Sequence, residues 1–117
     1  MDVLISRPFL DESGKKISRT VEISPAAADP PQAAVVAEFL TLDLAKLTGA
    51  DVDFCVAEAG RATGQSVKVL VTDLEFHMQM AAKALGVDRD LLKKLPSNDY
   101  VEVATNVQAF LTGSVSP

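Results

Sequence analysis

Ile17-Ser18-Arg19-Thr20-Val21-Glu22-Ile23 is the stretch on which the reading of this chain turns. Ile17, Arg19, Val21 and Ile23 recur at every second position, the period of a strand with one face toward a core. Upstream, Val3 and Ile5 share one face of a second extended segment. Between the two lies Asp11-Glu12-Ser13-Gly14-Lys15, a polar turn in which Gly14 can take positive φ at little cost. Pro8 suits an edge or a strand end, because it cannot donate to a ladder. These features predict a β-hairpin over about residues 2–24. Two strands alone are marginal, so Ile5, Val21 and Ile23 are expected to face helices.

Working outward, Pro25, Pro30 and Pro31 mark a connector at about 25–32, with Asp29-Pro30 a plausible helix start. Helices are expected over about 33–111. Val36, Leu40, Leu44 and Leu47 recur at spacings of four, four and three, with Gly49 as a stop. Asp51 offers the next N-cap, followed by Val52, Cys55, Val56, Ala59 and Ala62 on one face and Gly64 at the end. Val67, Val69 and Val71 fit a short strand or a loop. Asp73 caps a helix with Leu74, Met78, Ala81 and Leu85 on one face and Phe76, Met80 and Ala84 on another; Gly86 ends it. Asp88 caps a turn through Leu91, Leu92 and Leu95. The last helix carries Tyr100, Val103, Ala104, Val107, Phe110 and Leu111 on one stripe, and a flexible tail is expected at 112–117. The prediction is a single α+β domain over 1–117: an N-terminal β-hairpin packed on a mainly helical bundle of four or five helices.

Composition narrows the function classes. With 117 residues, 48% hydrophobic and 23% charged, the chain has ordinary globular proportions for one domain. A net charge of −5 without a basic stripe argues against nucleic acid and anionic membranes as partners. No run approaches the roughly 20 apolar residues of a membrane span. The first apolar run breaks at Ser6-Arg7-Pro8, too early for a signal peptide, and the single cysteine fits a reducing cytoplasm.

A search for catalytic chemistry yields little. His77, the one histidine, lies four residues after Asp73 and reads as a partly exposed helix histidine; a metal would need further ligands. Cys55 falls on an apolar stripe and reads as a small buried hydrophobe, not as a nucleophile paired with His77. Gly60-Arg61-Ala62-Thr63-Gly64-Gln65-Ser66 has the wrong glycine spacing for a phosphate loop and Gln65 where lysine is required. Asp51 with Asp53, and Asp88 with Asp90, read as helix starts meeting the positive end of the dipole. Two helices around Thr48-Gly49-Ala50 could suggest a helix-turn-helix, but Asp51, Asp53 and Glu58 would repel DNA. No catalytic, cofactor or metal residue is therefore expected.

The order of segments resembles a known family. Ser6-Arg7-Pro8-Phe9, Gly14-Lys15-Lys16-Ile17 and Val21-Glu22-Ile23-Ser24-Pro25 are similar to the N-terminal hairpin of tail assembly chaperones of long-tailed bacteriophages, especially the Mu-like group. Ala81 to Val87, the leucines 91, 92 and 95, and the helix from Asp99-Tyr100 to Phe110-Leu111 resemble that family's ending. Between about Gln32 and Thr72 little is shared beyond helical character and Leu47-Thr48-Gly49. The resemblance implies a non-enzymatic protein without cofactors, in the cytoplasm of a bacterial host. It would coat the tape measure protein before tail tube polymerisation, with tail tube protein and further copies of itself as additional candidate partners. A longer frameshifted product often accompanies the short one in this family. The alternatives are a structural tail component, adaptor or terminator, retained in the particle, and a small enzyme. Phe76 and Met80, lying off the stripe of Leu74, Met78 and Leu85, are the candidate partner-binding residues. The competing reading is a helix buried on both sides.

Overall fold

The computed structural model describes residues 1–23, 35–64 and 73–113. The fold class is α+β: an antiparallel sheet at the N-terminus, followed by helices. Three strands form the sheet, β1 (Asp2–Ile5), β2 (Arg19–Ile23) and β3 (Val35–Thr41), in the order β1-β3-β2. Three α-helices follow, α1 (Gly49–Thr63), α2 (Leu74–Leu85) and α3 (Ser97–Leu111), with 3₁₀ segments at Leu44–Lys46 and Arg89–Lys94.

The two strands expected to pair with each other do not. β3 lies between them, with Val3 opposite Leu40, Ile5 opposite Glu38, Thr20 opposite Glu38 and Val21 opposite Ala37. Since both outer strands are antiparallel to β3, they run the same way, and residues 6–18 carry the chain back between them. The predicted polar turn sits inside that return. Asp11 accepts from Ser13 N at 2.9 Å, Ser13 Oγ at 2.6 Å and Lys15 N at 2.9 Å, and Gly14 has φ 84°. A bridge between Leu10 and Lys16 closes this small arm.

Residues 35–41 are a strand where a helix was expected. Val36 and Leu40 are four apart, an even spacing that places them on one face of a strand as readily as on one face of a helix. The segment Val-Val-Ala-Glu-Phe-Leu-Thr is rich in β-branched and aromatic residues, which suit a pleated surface. Leu44 then belongs to a 3₁₀ turn. Gly49, read as a helix stop, opens α1 instead. Thr48 is the N-cap, and a capping box joins its backbone N–H to Asp51 Oδ2 at 2.8 Å and Asp51 N to Thr48 Oγ1 at 3.5 Å.

From there the predicted punctuation holds. The Asp73 carboxylate accepts from Phe76 N at 2.7 Å, and Gly86 closes α2 in the left-handed region at φ 70°. Asp88 caps the 3₁₀ helix, which buries Leu91 and Leu92. The expectations for the connector at 25–32, for Val67, Val69 and Val71, and for the tail beyond residue 113 lie outside the described residues, as does that for the Ile23 side chain.

The core forms where one sheet face meets the helices. Val3, Ile5 and Leu40 pack from the sheet; Cys55 and Ala59 come from α1 and Val103 and Val107 from α3; α2 lies in the middle. Asp99, in the first turn of α3, turns to β1: Ser6 donates from N at 3.0 and 3.1 Å and from Oγ at 2.7 Å. A carboxylate there also meets the positive end of the helix dipole. Val21 points the other way. It lies opposite Ala37, in the alternate register to Val3 and Leu40, so it occupies the sheet face away from the helices.

Leu40 is fully buried, whereas Val36 on the same face is 60% exposed because it lies beyond the end of β1. Leu40→Ala should therefore lower the unfolding free energy by about 2–5 kcal/mol in urea titration. Val36→Ala should change it by less than about 0.5 kcal/mol. Equal effects would place residues 35–41 in some other structure.

Candidate partner-binding surface

The residues singled out for chemistry are buried or serve as helix caps. His77 is buried, not partly exposed; its backbone N–H donates to Asp73 O at 3.0 Å, and its ring meets the edge of Phe76 at 6.4 Å and 61°. Cys55 is fully buried, and burial pushes its thiol up to about 11, away from the thiolate a nucleophile requires. Asp51 belongs to the α1 capping box, and the bond from the Thr48 backbone holds its carboxyl below the ordinary range. Asp88 accepts from Asp90 N at 3.0 Å as a cap. Residues 60–64 finish α1, with Gly64 as its C-cap. Among the described residues no three His, Cys, Asp or Glu side chains gather as a metal site. Among them, too, no helix is long and apolar enough to cross a membrane.

Phe76 and Met80, the two residues expected to grip a partner, lie in the core at 0% and 2% exposure. The reason is the position of α2. It touches α1, α3 and both 3₁₀ segments, so both of its apolar faces are covered. Of its apolar side chains, Leu74 in the first turn is half-exposed and Leu85 in the last is half-buried. The competing reading, a helix buried on both sides, describes α2.

An apolar row lies on the outer face of the sheet. Val3, Ile5 and Leu40 point to the helices, so their neighbours Leu4 and Phe39 point to the opposite face. Leu4 is opposite Phe39, and Val21 is opposite Ala37 on that same face. Leu4 is 57% exposed, while Phe39, Ala37 and Val21 are half-buried. An ion pair, Arg19 Nη2 to Asp2 Oδ2 at 2.8 Å, edges the row. β1 reaches only as far as Glu38, so β3 continues beside a notch of about 900 Å³ lined by Leu4, Val36, Ala37, Asp99 and Glu102, among others. A strand edge left without a neighbour presents unpaired backbone groups to an incoming chain. The molecule is elongated, 57 × 34 × 23 Å.

Glu38 stiffens this region. Its carboxylate accepts from Ser18 Oγ at 2.8 Å, from Thr20 Oγ1, and from Lys16 Nζ at 3.3 Å. Ser18 Oγ in turn accepts from Phe9 N at 2.9 Å. One carboxylate on the middle strand thus ties down the returning segment and the start of β2. The Thr20 bond, followed by those from Ser18 and Lys16, outweighs burial and holds Glu38 below the ordinary glutamate range.

No family model, no curated protein and no solved structure matches this chain. Sequence reasoning missed the open face because residues 35–41 were read as helical. The alternation of Val35, Ala37, Phe39 and Thr41 was the signal available.

Because the folded pKa of Glu38 is depressed, its stabilisation is complete above the unfolded value of about 4.3 and is lost as pH falls through the lower folded value. Glu38→Gln should melt below the parent at pH 7. The gap should narrow as pH falls below about 4, where the parent carboxylate also becomes neutral. A gap independent of pH, measured by circular dichroism, would show that the charge of Glu38 is not what holds the segment.

Proposed function

We propose that the protein is a non-enzymatic phage tail assembly chaperone that holds the tape measure protein in the bacterial cytoplasm until tube subunits polymerise around it. The observation that carries a holding role is the row on the outer sheet face in which Leu4 is exposed beside the half-buried Phe39, Ala37 and Val21. An apolar row of this kind beside unpaired strand edges suits a partner offering apolar side chains. The tape measure protein as that partner comes from the resemblance at the two ends of the chain. The buried, structural roles of Cys55 and His77 favour holding over catalysis.

Leu4→Ser and Phe39→Ser should keep native circular dichroism, since neither side chain belongs to the buried core. On co-expression with the tape measure protein of the same phage, both should lose most of the co-purification seen with the parent. Purified particles should contain no copy of this chain by mass spectrometry. Undiminished co-purification by both folded variants would remove the sheet face from the binding role, and copies in the particle would favour a structural tail component.

A further inference from the structure

β2 is an outer strand of the sheet, and among the described residues no strand pairs with its far side. The ladder decides which backbone groups face that way. Leu42 N donates to Met1 O at 2.7 Å and Met1 N to Leu42 O at 3.2 Å, so the backbone groups of Leu42 point to β1. Antiparallel strands alternate, so those of Leu40, Glu38 and Val36 point the same way, while Val35, Ala37 and Phe39 exchange bonds with Ile23, Val21 and Arg19. The N–H and C=O groups of Thr20 and Glu22 are left pointing outward. Ser18 keeps the alternation and ends the free stretch, because its N–H donates to Phe9 O at 3.3 Å.

This edge is lightly defended. Arg-Thr-Val-Glu-Ile contains neither proline nor lysine, the residues that commonly blunt an edge, and Arg19, Thr20 and Glu22 are exposed. Its two charges are of opposite sign, and Arg19 is already tied to Asp2 at 2.8 Å. Such an edge does not repel its own copy.

A second β2 fits in one register. Laid antiparallel with Val21 opposite its twin, Thr20 and Glu22 face each other twice, and four backbone hydrogen bonds form across the edge. A register centred on Thr20 needs the Ser18 N–H, which is taken, and one centred on Glu22 sets like charges directly opposite. In the Val21 register each Glu22 meets a Thr20 whose Oγ1 contacts Lys16 Nζ, so acid approaches base on that face. On the other face the two Val21 side chains meet, and the row of Leu4, Phe39, Ala37 and Val21 continues into the same row of the second copy. We infer that two copies of this chain join through their β2 edges, with Val21 at the two-fold axis, into one sheet with three strands from each. The inference is independent of which protein the sheet face holds.

Sedimentation equilibrium on the full chain should show a reversible monomer–dimer equilibrium. Glu22→Pro removes an outward N–H and leaves the bonds to β3 intact; it should keep native circular dichroism and weaken the dimer at least roughly tenfold. Val21→Cys sets two Cα atoms about 4.5 Å apart across the axis, within reach of a disulfide, and should cross-link on mild oxidation. Glu22→Cys, roughly 7–8 Å from its twin, should not. Cys55 is fully buried, so the parent should give no such product. A parent that stays monomeric, a dimer that Glu22→Pro leaves intact, or equal cross-linking of the two cysteine variants each overturns the inference. Should Glu22→Pro fail to fold, the contrast between the two cysteine variants decides alone.

Discussion

β3 has to satisfy a strand on each side, and the rest of the protein is arranged around that requirement. On one side β1 brings Val3 and Ile5 to the face that meets the helices; on the other, β2 lengthens the sheet beyond the helical layer. Leu40 is the point where ladder and core coincide, fully buried and opposite Val3. Burial of side chains of this size is worth about 1.5–3 kcal/mol each. Two polar ties keep the arrangement in register: Glu38 to the returning segment, and Asp99 to Ser6 between α3 and the end of β1. Both are carboxylates in buried positions whose oxygens are occupied, which makes their burial tolerable.

The mismatch between a four-residue β1 and a seven-residue β3 leaves the first residues of β3 beyond the end of β1. Helices cover the sheet on one face and near one end, leaving Leu4 and Phe39 outward and Val36 past the last β1 residue. An exposed strand edge of this kind is ordinarily a hazard, blunted by charge or cover. Here Glu22 and Arg19 on β2 provide charge, while in the apolar row Leu4 stays exposed beside the half-buried Phe39, Ala37 and Val21. A protein whose work is to hold another chain has a use for such a surface. Among the described residues the groups with shifted pKa values include Asp11, Glu38 and Asp51, held by local hydrogen bonds, and the buried thiol Cys55.

From α1 onward most of the structure was legible because its signals are local. Asp73, Gly86 and Asp88 act within three or four residues of themselves, so the sequence around each is enough. The sheet was harder, since strand order depends on contacts between residues 2–5 and 38–41 that no local pattern announces. Residues 36 and 40 misled because an even spacing satisfies both periods, and Gly49 because glycine follows an N-cap as well as ending a helix. Phe76 and Met80 illustrate a different error. A helix with apolar residues on two faces is one that will be surrounded, and partner binding need not be invoked to explain the second face.

Hydrogen exchange of backbone amides, with and without the tape measure protein, tests the central claim most directly. In the free protein the account predicts slow exchange across α2 and at the residues of β3 facing β1. On binding, amides of 19–23 and 35–41 should slow further while those of 74–85 stay unchanged. Unchanged strands, with new protection confined to 74–85, would contradict an open sheet face as the holding surface and return that role to the helices.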